Sequence, residues 1–299
     1  MSAHHRTISF VLLAAFLGGA VPVFAKISLS EIPPLSFTFF RFVLATLILL
    51  PLYLRVRQRI GSDLPKVACI SLFAVGNVVL FSFGIQRTGA GIAQALYTLS
   101  PLLTVIFSVL LLRLEFSRRT LFGVVVGFAG ALLITALPLI GRGTSSATLL
   151  GNGIIILAVI SMTLHTMYSK PLQHKYHPIE ITTFFSSMAV ALLFIPAFFD
   201  LKMSPQWWSS VSAAAVFGVV YAGVVGTALY YLLVQLIVRG TEPVLASMVL
   251  YIQPFAAIFW AYLFLKETIS PPFIAGLALA LAGVWLTANS TIQRKTITL

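Results

Sequence analysis

The sequence predicts an all-α membrane protein whose ten transmembrane helices form two inverted-topology repeats of five helices. Three observations support this prediction: the composition, ten long apolar runs, and residue patterns that occur in both halves. Of the 299 residues, 59% are hydrophobic and 9% are charged, whereas a soluble domain carries about 25% charged residues. A chain of this composition cannot cover itself with polar surface, so we expect lipid to be its solvent.

The ten predicted spans follow one another with short connections, and each approaches the roughly 20 apolar residues that a membrane helix needs. The first run has a basic start and a Val-Phe-Ala ending like that of a signal peptide. Because nine further spans follow, we expect it to be an uncleaved helix. The predicted spans are 8–26, 34–54, 66–85, 89–112, 119–139, 149–169, 178–199, 209–238, 242–264 and 271–289.

The basic residues predict the orientation. Most of the 19 Lys and Arg side chains fall on the side of the membrane that holds both termini, and such an excess marks the cytoplasmic face. We therefore expect a multi-pass protein of the bacterial cytoplasmic (inner) membrane, with membrane lipid around it and both termini in the cytoplasm. This topology accounts for the net charge of +12, so no nucleic-acid partner is expected. A monomer or weak dimer is expected.

Several residues of the first half return in the second at a fixed distance. Thr38-Phe39-Phe40 and Thr183-Phe184-Phe185 stand 145 residues apart, and Pro101 and Pro254 stand 153 apart. Glycines of span 5 are matched by glycines of span 10. We place the first repeat at 1–145 and the second at 146–299.

The odd number of helices in each repeat has a topological consequence. After five crossings the second repeat enters the membrane from the opposite side, so the two repeats are predicted to be inverted relative to each other. Many secondary transporters have this architecture, with the substrate near the membrane midplane between the repeats.

Three stretches carry a family resemblance: IPPLSFTFFRFVLATLIL in span 2, LYTLSPLLTVIFSVLLLRLE in span 4, and YIQPFAAIFWAYLFLKE in span 9. With the glycine-rich spans 5 and 10, they make the chain similar to the EamA type of the drug/metabolite transporter superfamily, over nearly its whole length. The resemblance implies a transporter of small organic metabolites and favours export. One departure concerns spans 1 and 6, where the family often has a tryptophan and this chain has Gly18-Gly19 and Met162.

A polar stripe on span 4 indicates a candidate site. Gln94, Tyr97, Pro101, Thr104 and Ser108 recur at steps of three and four, which is one face of a helix. Such a stripe lines a cavity or bonds to a neighbouring helix, and the size of the first two side chains favours a cavity. Similar side chains in spans 3, 8 and 9 complete the set of predicted substrate-binding residues: Asn77, Phe81, Gln94, Tyr97, Tyr230, Tyr231, Tyr251 and Gln253.

Two ionisable side chains fall inside predicted spans. Arg41 lies roughly 10 Å into span 2, at 1.5 Å per residue, where a charge is costly and needs polar partners. It either contacts an anionic substrate or ties neighbouring helices by bonding their carbonyls, and we favour the tie. His165 in span 6 is either a packing residue or a proton relay, and we favour packing.

Two prolines inside spans and two glutamates at span ends each have a structural and a functional interpretation. Pro101 and Pro254 each free a carbonyl four residues earlier, which either permits a kink or contacts substrate. Glu115 and Glu267 lie at span ends, where they are expected to complement helix N-termini or adjacent bases rather than to couple protons. No acid falls at mid-membrane in the predicted spans.

These features predict a secondary active transporter that works by alternating access. Without a mid-membrane acid, we expect neutral, zwitterionic or anionic solutes, such as amino acids or related amphipathic compounds. No enzyme motif, metal site or cofactor site is found, and the single Cys69 excludes a cysteine metal cluster. The alternatives are an intramembrane enzyme that acts on a lipid-linked substrate and a passive channel.

Overall fold

The computed structural model describes residues 3–56, 63–112, 117–140, 146–169, 171–172, 175–240, 243–267 and 271–295. Within these residues the chain is helical and contains no strand. Six of the helices are long and apolar enough to cross a membrane uninterrupted. The elements are α1 (Ala3–Leu29), α2 (Pro34–Val56), α3 (Leu64–Ile85), α4 (Ala90–Tyr97), α5 (Ser100–Leu112), α6 (Arg118–Ile140), α7 (Ser146–Ser169), α8 (Pro178–Met203), α9 (Gln206–Ser210), α10 (Ala213–Val220), a π-helical segment (Tyr221–Leu229), α11 (Tyr230–Gly240), α12 (Pro243–Leu265) and α13 (Pro271–Lys295).

These elements coincide with the ten predicted spans. Spans 1 to 3 are α1 to α3, span 4 is α4 with α5, and spans 5 to 7 are α6 to α8. Span 8 is α10, the π-helical segment and α11 in sequence, and spans 9 and 10 are α12 and α13.

Two spans are less regular than predicted. Span 4 breaks at Thr98–Leu99, because Pro101 cannot donate a backbone hydrogen bond to the carbonyl of Tyr97. The equivalent Pro254 lies inside the continuous helix α12. Span 8 starts at Ala213 instead of residue 209, since the Ser212 side chain accepts a hydrogen bond from the Ala215 N–H and caps α10.

Equivalent helices of the two repeats pack directly against each other, span 2 on span 7 and span 5 on span 10. In the first pair, the Ser36 N–H near the start of α2 bonds to Asp200 near the end of α8, at 3.0 Å. Farther along α2, the Phe42 ring meets Phe185, with centroids 6.0 Å apart. The helices are therefore antiparallel. Equivalent helices of the two repeats thus run in opposite directions, as the predicted inverted topology requires.

Spans 5 and 10 also cross antiparallel, and glycine lets their backbones touch. A Cβ atom on Gly130 would lie 2.4 Å from the Ala280 nitrogen, and one on Gly283 would lie 2.2 Å from the Gly127 nitrogen. Small residues at such crossings bring helices together in a membrane, where no hydrophobic force acts between them.

Buried apolar side chains form two main clusters at different depths. One includes Leu29, Phe81 and Ile85, and the other includes Ala74 and Tyr231. The first cluster includes residues toward one end of α3, and the second includes residues from its middle. Asn77, a predicted site residue, lies near the middle of α3, which spans Leu64–Ile85.

Candidate functional site

One wall of the candidate site is the contact between spans 3 and 4. The Asn77 amide donates to the Tyr97 hydroxyl at 2.6 Å and to the Ala158 carbonyl of span 6 at 2.8 Å. The Phe81 ring stands edge-on to Tyr97, with centroids 6.1 Å apart. Tyr97 is the last residue of α4, immediately before the break that Pro101 causes. The broken helix thus places a phenol, an amide and an aromatic ring together at mid-depth.

The facing wall comes from spans 8 and 9 of the second repeat. The Tyr230 hydroxyl donates to the Gln253 side-chain oxygen at 3.4 Å, and the Tyr230 and Tyr231 rings are 5.7 Å apart. Both tyrosines lie at the start of α11, where the π-helical segment ends. Tyr230 and Tyr231 pack in one hydrophobic cluster with Val75 and Val78 of span 3, which lie on either side of Asn77 in the sequence. The structure therefore brings residues of both repeats into one polar cluster.

Among the remaining predicted polar residues, the structure describes the side chains of Gln94 and Thr104 but not those of the others. Gln94 is buried one turn before Tyr97, and its side chain makes no hydrogen bond within the described part of the chain. The side chains of Tyr251, Pro101 and Ser108 lie outside the described residues. Thr104 bonds to the Ser100 carbonyl of its own helix, at 2.9 Å. The role of the whole set as substrate contacts stays a prediction.

Arg41 of span 2 is buried and forms hydrogen bonds with span 8. Its Nε donates to the Thr227 hydroxyl at 2.6 Å, and its Nη2 donates to the Gly226 carbonyl at 3.2 Å. Thr227 in turn donates to the Ala222 carbonyl, five residues earlier, at 2.9 Å. Both acceptors of the guanidinium belong to the π-helical segment. This geometry favours the structural tie over a contact that is reserved for substrate.

His165 is also buried, but outside the polar cluster. Its Nδ1 lies 3.1 Å from the Ile70 carbonyl, and its ring packs edge-on to Phe185 at 5.9 Å. Phe185 separates it from Tyr231, whose ring is 5.0 Å from that of Phe185. Since an apolar ring intervenes, the contacts favour the packing role.

Sequence reasoning did not identify several polar contacts. The Ser100 and Thr163 hydroxyls are 2.9 Å apart and link spans 4 and 6 inside the protein. Thr227, the partner of Arg41, was missed as well. Hydroxyls of this type usually bond within their own helix, so their types and spacing gave no signal.

Glu267 lies at the end of the protein that holds the first residues of α4. One carboxylate oxygen accepts from Lys26 Nζ at 2.9 Å and from the Ala90 N–H at 3.0 Å. The other accepts from the Gly91 N–H at 3.3 Å. Glu267 thus complements a helix N-terminus, as the sequence predicted, but that helix belongs to the other repeat. The counterpart Glu115 lies outside the described residues.

A cavity of about 490 Å³ adjoins this carboxylate. Its lining is apolar toward the protein interior, with Ile92 of span 4 and Ile258 of span 9, and charged at the rim, with Lys26 and Lys266. The cavity lies between the two repeats, like the polar cluster.

The chain has sequence and structural relatives. It matches the EamA-like transporter family over residues 5–136 and 149–289. An uncharacterized transporter of Archaeoglobus fulgidus is 24% identical over 94% of this chain and 98% of its own length. The uncharacterized transporter YetK of Bacillus subtilis is 28% identical over 94% of this chain and 86% of its own.

Two further similarities concern function and fold. A probable terminal-alkyne amino-acid exporter of Streptantibioticus cattleyicolor is 25% identical over 81% of this chain and 79% of its own. A solved crystal structure shares the fold with a TM-score of 0.64 at 15% identity, covering 96% of this chain and 97% of that chain.

Proposed function

Because the chain belongs to the EamA-like transporter family, we propose that it is a secondary active transporter that exports small organic metabolites by alternating access. The expected substrates are amino acids or related amphipathic compounds. The expected location is the bacterial cytoplasmic membrane, with both termini in the cytoplasm and the protein a monomer or weak dimer.

The observation that carries this proposal is the mid-depth polar cluster between the repeats. Asn77 and Tyr97 come from the first repeat, and Tyr230 and Gln253 come from the second. A site shared by two inverted repeats is exposed to one side of the membrane or the other as the repeats tilt against each other. The cluster therefore has the location that alternating access requires.

The chemistry of the cluster supports the substrate class. Aromatic rings offer apolar surface, and amides and phenols offer hydrogen bonds. The positively charged Arg41 bonds to Thr227, three residues before Tyr230. Each acid in the described residues lies near a helix end, away from the cluster. Such a site suits solutes with a carboxylate and an apolar group better than cations. The relative named as a probable terminal-alkyne amino-acid exporter agrees with this class.

Counterflow in liposomes tests the proposal. Purified protein is reconstituted into liposomes loaded with unlabelled L-alanine, L-norvaline or L-phenylalanine, and uptake of the same labelled amino acid is followed. A carrier accumulates label transiently and saturates, whereas a channel only equilibrates it. Absence of counterflow with every probe would overturn the proposed substrate class.

Variant proteins connect the transport to the cluster. We expect Tyr97→Ala to lose counterflow, while Tyr262→Ala retains it. Tyr262 is the matched control because it is another membrane tyrosine but is 63% exposed and lies on the outer surface of α12.

A further inference from the structure

Gly18 of span 1 lies against the two side chains that form the far wall of the polar cluster. A Cβ atom at Gly18 would lie 2.2 Å from the Gln253 amide nitrogen and 2.6 Å from the Tyr230 ring. Real Cβ atoms do not approach other atoms so closely. The ends of Tyr230 and Gln253 therefore occupy the space that any side chain at position 18 would fill.

The next residue makes a different contact. A Cβ atom at Gly19 would lie 2.6 Å from the Ala256 Cβ and 2.9 Å from both the Ala257 nitrogen and the Gln253 carbonyl oxygen. Those neighbours are mostly backbone of α12 and cannot swing away. Gly19 thus sets how closely spans 1 and 9 approach, whereas Gly18 meets side-chain atoms only, those of the Gln253 amide and the Tyr230 ring.

Span 1 is also held in place at this level. The Trp260 indole donates to the Phe16 carbonyl at 3.3 Å, and the Tyr221 hydroxyl donates to the Leu17 carbonyl at 3.0 Å. These bonds anchor the helix to spans 9 and 8. A side chain added at Gly18 would therefore displace the Tyr230 ring and the Gln253 amide rather than move the helix.

We propose that Gly18 is a specificity-determining residue: its missing side chain sets the position of Tyr230 and Gln253 and thereby the width of the substrate site. This inference rests on the proposed transport function. A larger residue at position 18 narrows the site, so bulky solutes lose affinity before small ones do.

The test is substrate selectivity of Gly18→Ala by counterflow, with L-alanine as the small probe and L-phenylalanine as the large one. We expect the ratio of kcat/KM for phenylalanine to that for alanine to fall by about tenfold, the discrimination that one methylene-sized change produces in an apolar pocket. The change should lie in KM for phenylalanine, and the melting temperature in detergent should be nearly that of the wild type.

Two further variants separate positioning from general damage. Gly19→Ala should lower the melting temperature, because its methyl group meets backbone, and should leave the selectivity of the remaining folded protein unchanged. In Gly18→Ala/Gln253→Ala the shortened side chain makes room for the new methyl group. Loss of the Gln253 amide should lower transport of both probes, but we expect the phenylalanine-to-alanine ratio of kcat/KM to rise relative to Gly18→Ala.

Each outcome supports or overturns the inference. If the wild type shows no counterflow, the proposed function fails and the inference fails with it. If the wild type transports and folded Gly18→Ala keeps the wild-type selectivity, only the inference is overturned. If Gly18→Ala does not fold and the double variant does not restore folding, the neighbours of Gly18 cannot move aside, which also overturns it.

Discussion

Arg41 shows how a charged side chain fits inside a membrane span that has no acidic partner. Insertion scales put an arginine at a helix centre near +3 kcal/mol, so its donors need acceptors. The structure supplies a carbonyl and a hydroxyl of the π-helical segment, Gly226 and Thr227. A cation that bonds neutral acceptors in this way links spans 2 and 8 without a carboxylate partner.

We therefore expect Arg41→Ala to destabilise the protein by about 2 kcal/mol, the cost of losing charged hydrogen bonds and leaving a buried acceptor unpaired. The measurement is the melting temperature in detergent together with the initial transport rate, and both should fall. Thr227→Val removes one of the two Arg41 bonds by changing its acceptor, so its effect should not add to that of Arg41→Ala. If Arg41→Ala instead stays fully stable and loses only anionic substrates, Arg41 is the substrate's counter-ion.

Tyr97 is expected to respond differently. Its hydroxyl accepts from Asn77, which also bonds the Ala158 carbonyl, so Asn77 keeps one partner when the phenol is lost. We expect Tyr97→Ala to reduce transport at least tenfold, equivalent to about 1.4 kcal/mol, with a much smaller relative loss of thermal stability. If the variant is less stable but transports normally per folded molecule, Tyr97 is a packing residue.

Helical spacing indicated some polar contacts of span 4 and missed others. Steps of three and four put Gln94 and Tyr97 on one face of span 4, and in the structure Gln94 is buried and Tyr97 bonds to Asn77. Thr227 and the Ser100–Thr163 contact could not be found in this way, because hydroxyls satisfy themselves within a helix as readily as between helices. Their roles depend on which helices are neighbours, which spacing within one helix does not encode.

Among the elements, the crossing of spans 5 and 10 is the tightest contact between equivalent helices. Backbone meets backbone at Gly130 and Ala280, where an added methyl group would lie 2.4 Å from nitrogen. Neither helix can retreat without losing its other contacts, so overpacking should be costly here.

We expect Gly130→Ala to lower stability by about 1–3 kcal/mol, the usual cost of overpacking. Gly153→Ala is the matched control, because a Cβ atom there meets nothing within 4 Å. That change should be neutral or stabilising by about 0.5–1 kcal/mol, since alanine favours a helix over glycine. Thermal unfolding of both variants in the same detergent is the measurement. Equal melting temperatures would contradict the proposed role of the glycine crossing.

Element positions were largely predictable, but their internal geometry was not. Apolar length and prolines predicted the spans and indicated where span 4 bends. The π-helical segment Tyr221–Leu229 was missed, because an apolar run has the same composition in an α-helix and a π-helix. What distinguishes the segment is its contact with span 2, where a Cβ atom at Gly223 would lie 2.8 Å from the Arg41 carbonyl oxygen.

At the scale of the whole molecule, ion pairs join the two repeats at both ends. At one end Lys26 of the first repeat pairs with Glu267 of the second. At the other, Asp63 of the first repeat pairs with Lys175 of the second. Hydrogen bonds from Lys175 and Tyr176 hold the pKa of the Asp63 carboxyl below its ordinary value. Odd repeats predict the inversion, but these pairs cross between repeats and depend on the assembled bundle.

Glu267 is one of the residues that link the two repeats at its end of the protein. Its carboxylate binds Lys26 and caps α4, so three spans meet at one side chain. The ion pair is partly exposed and contributes little by itself, whereas loss of a helix cap costs about 1 kcal/mol. Glu267→Gln should therefore leave the protein folded. It should also increase the fraction of time in which the two repeats separate at this end and expose the adjoining cavity.

Cysteine labelling measures that opening. Cys69 is the single cysteine of the chain, so Cys69→Ala provides a background in which Ile92→Cys reports on the cavity beside Glu267. In intact cells we expect a membrane-impermeant maleimide to label position 92 several-fold faster with Glu267→Gln than with glutamate, because the capped and paired carboxylate restricts access.

The control is Ser209→Cys, a position that is exposed at the same end of the protein. It should label equally in both backgrounds and controls for expression and orientation. If position 92 labels at the same rate in both while position 209 is labelled, Glu267 does not hold this end closed. If neither position is labelled from outside, this end faces the cytoplasm and the proposed orientation is wrong.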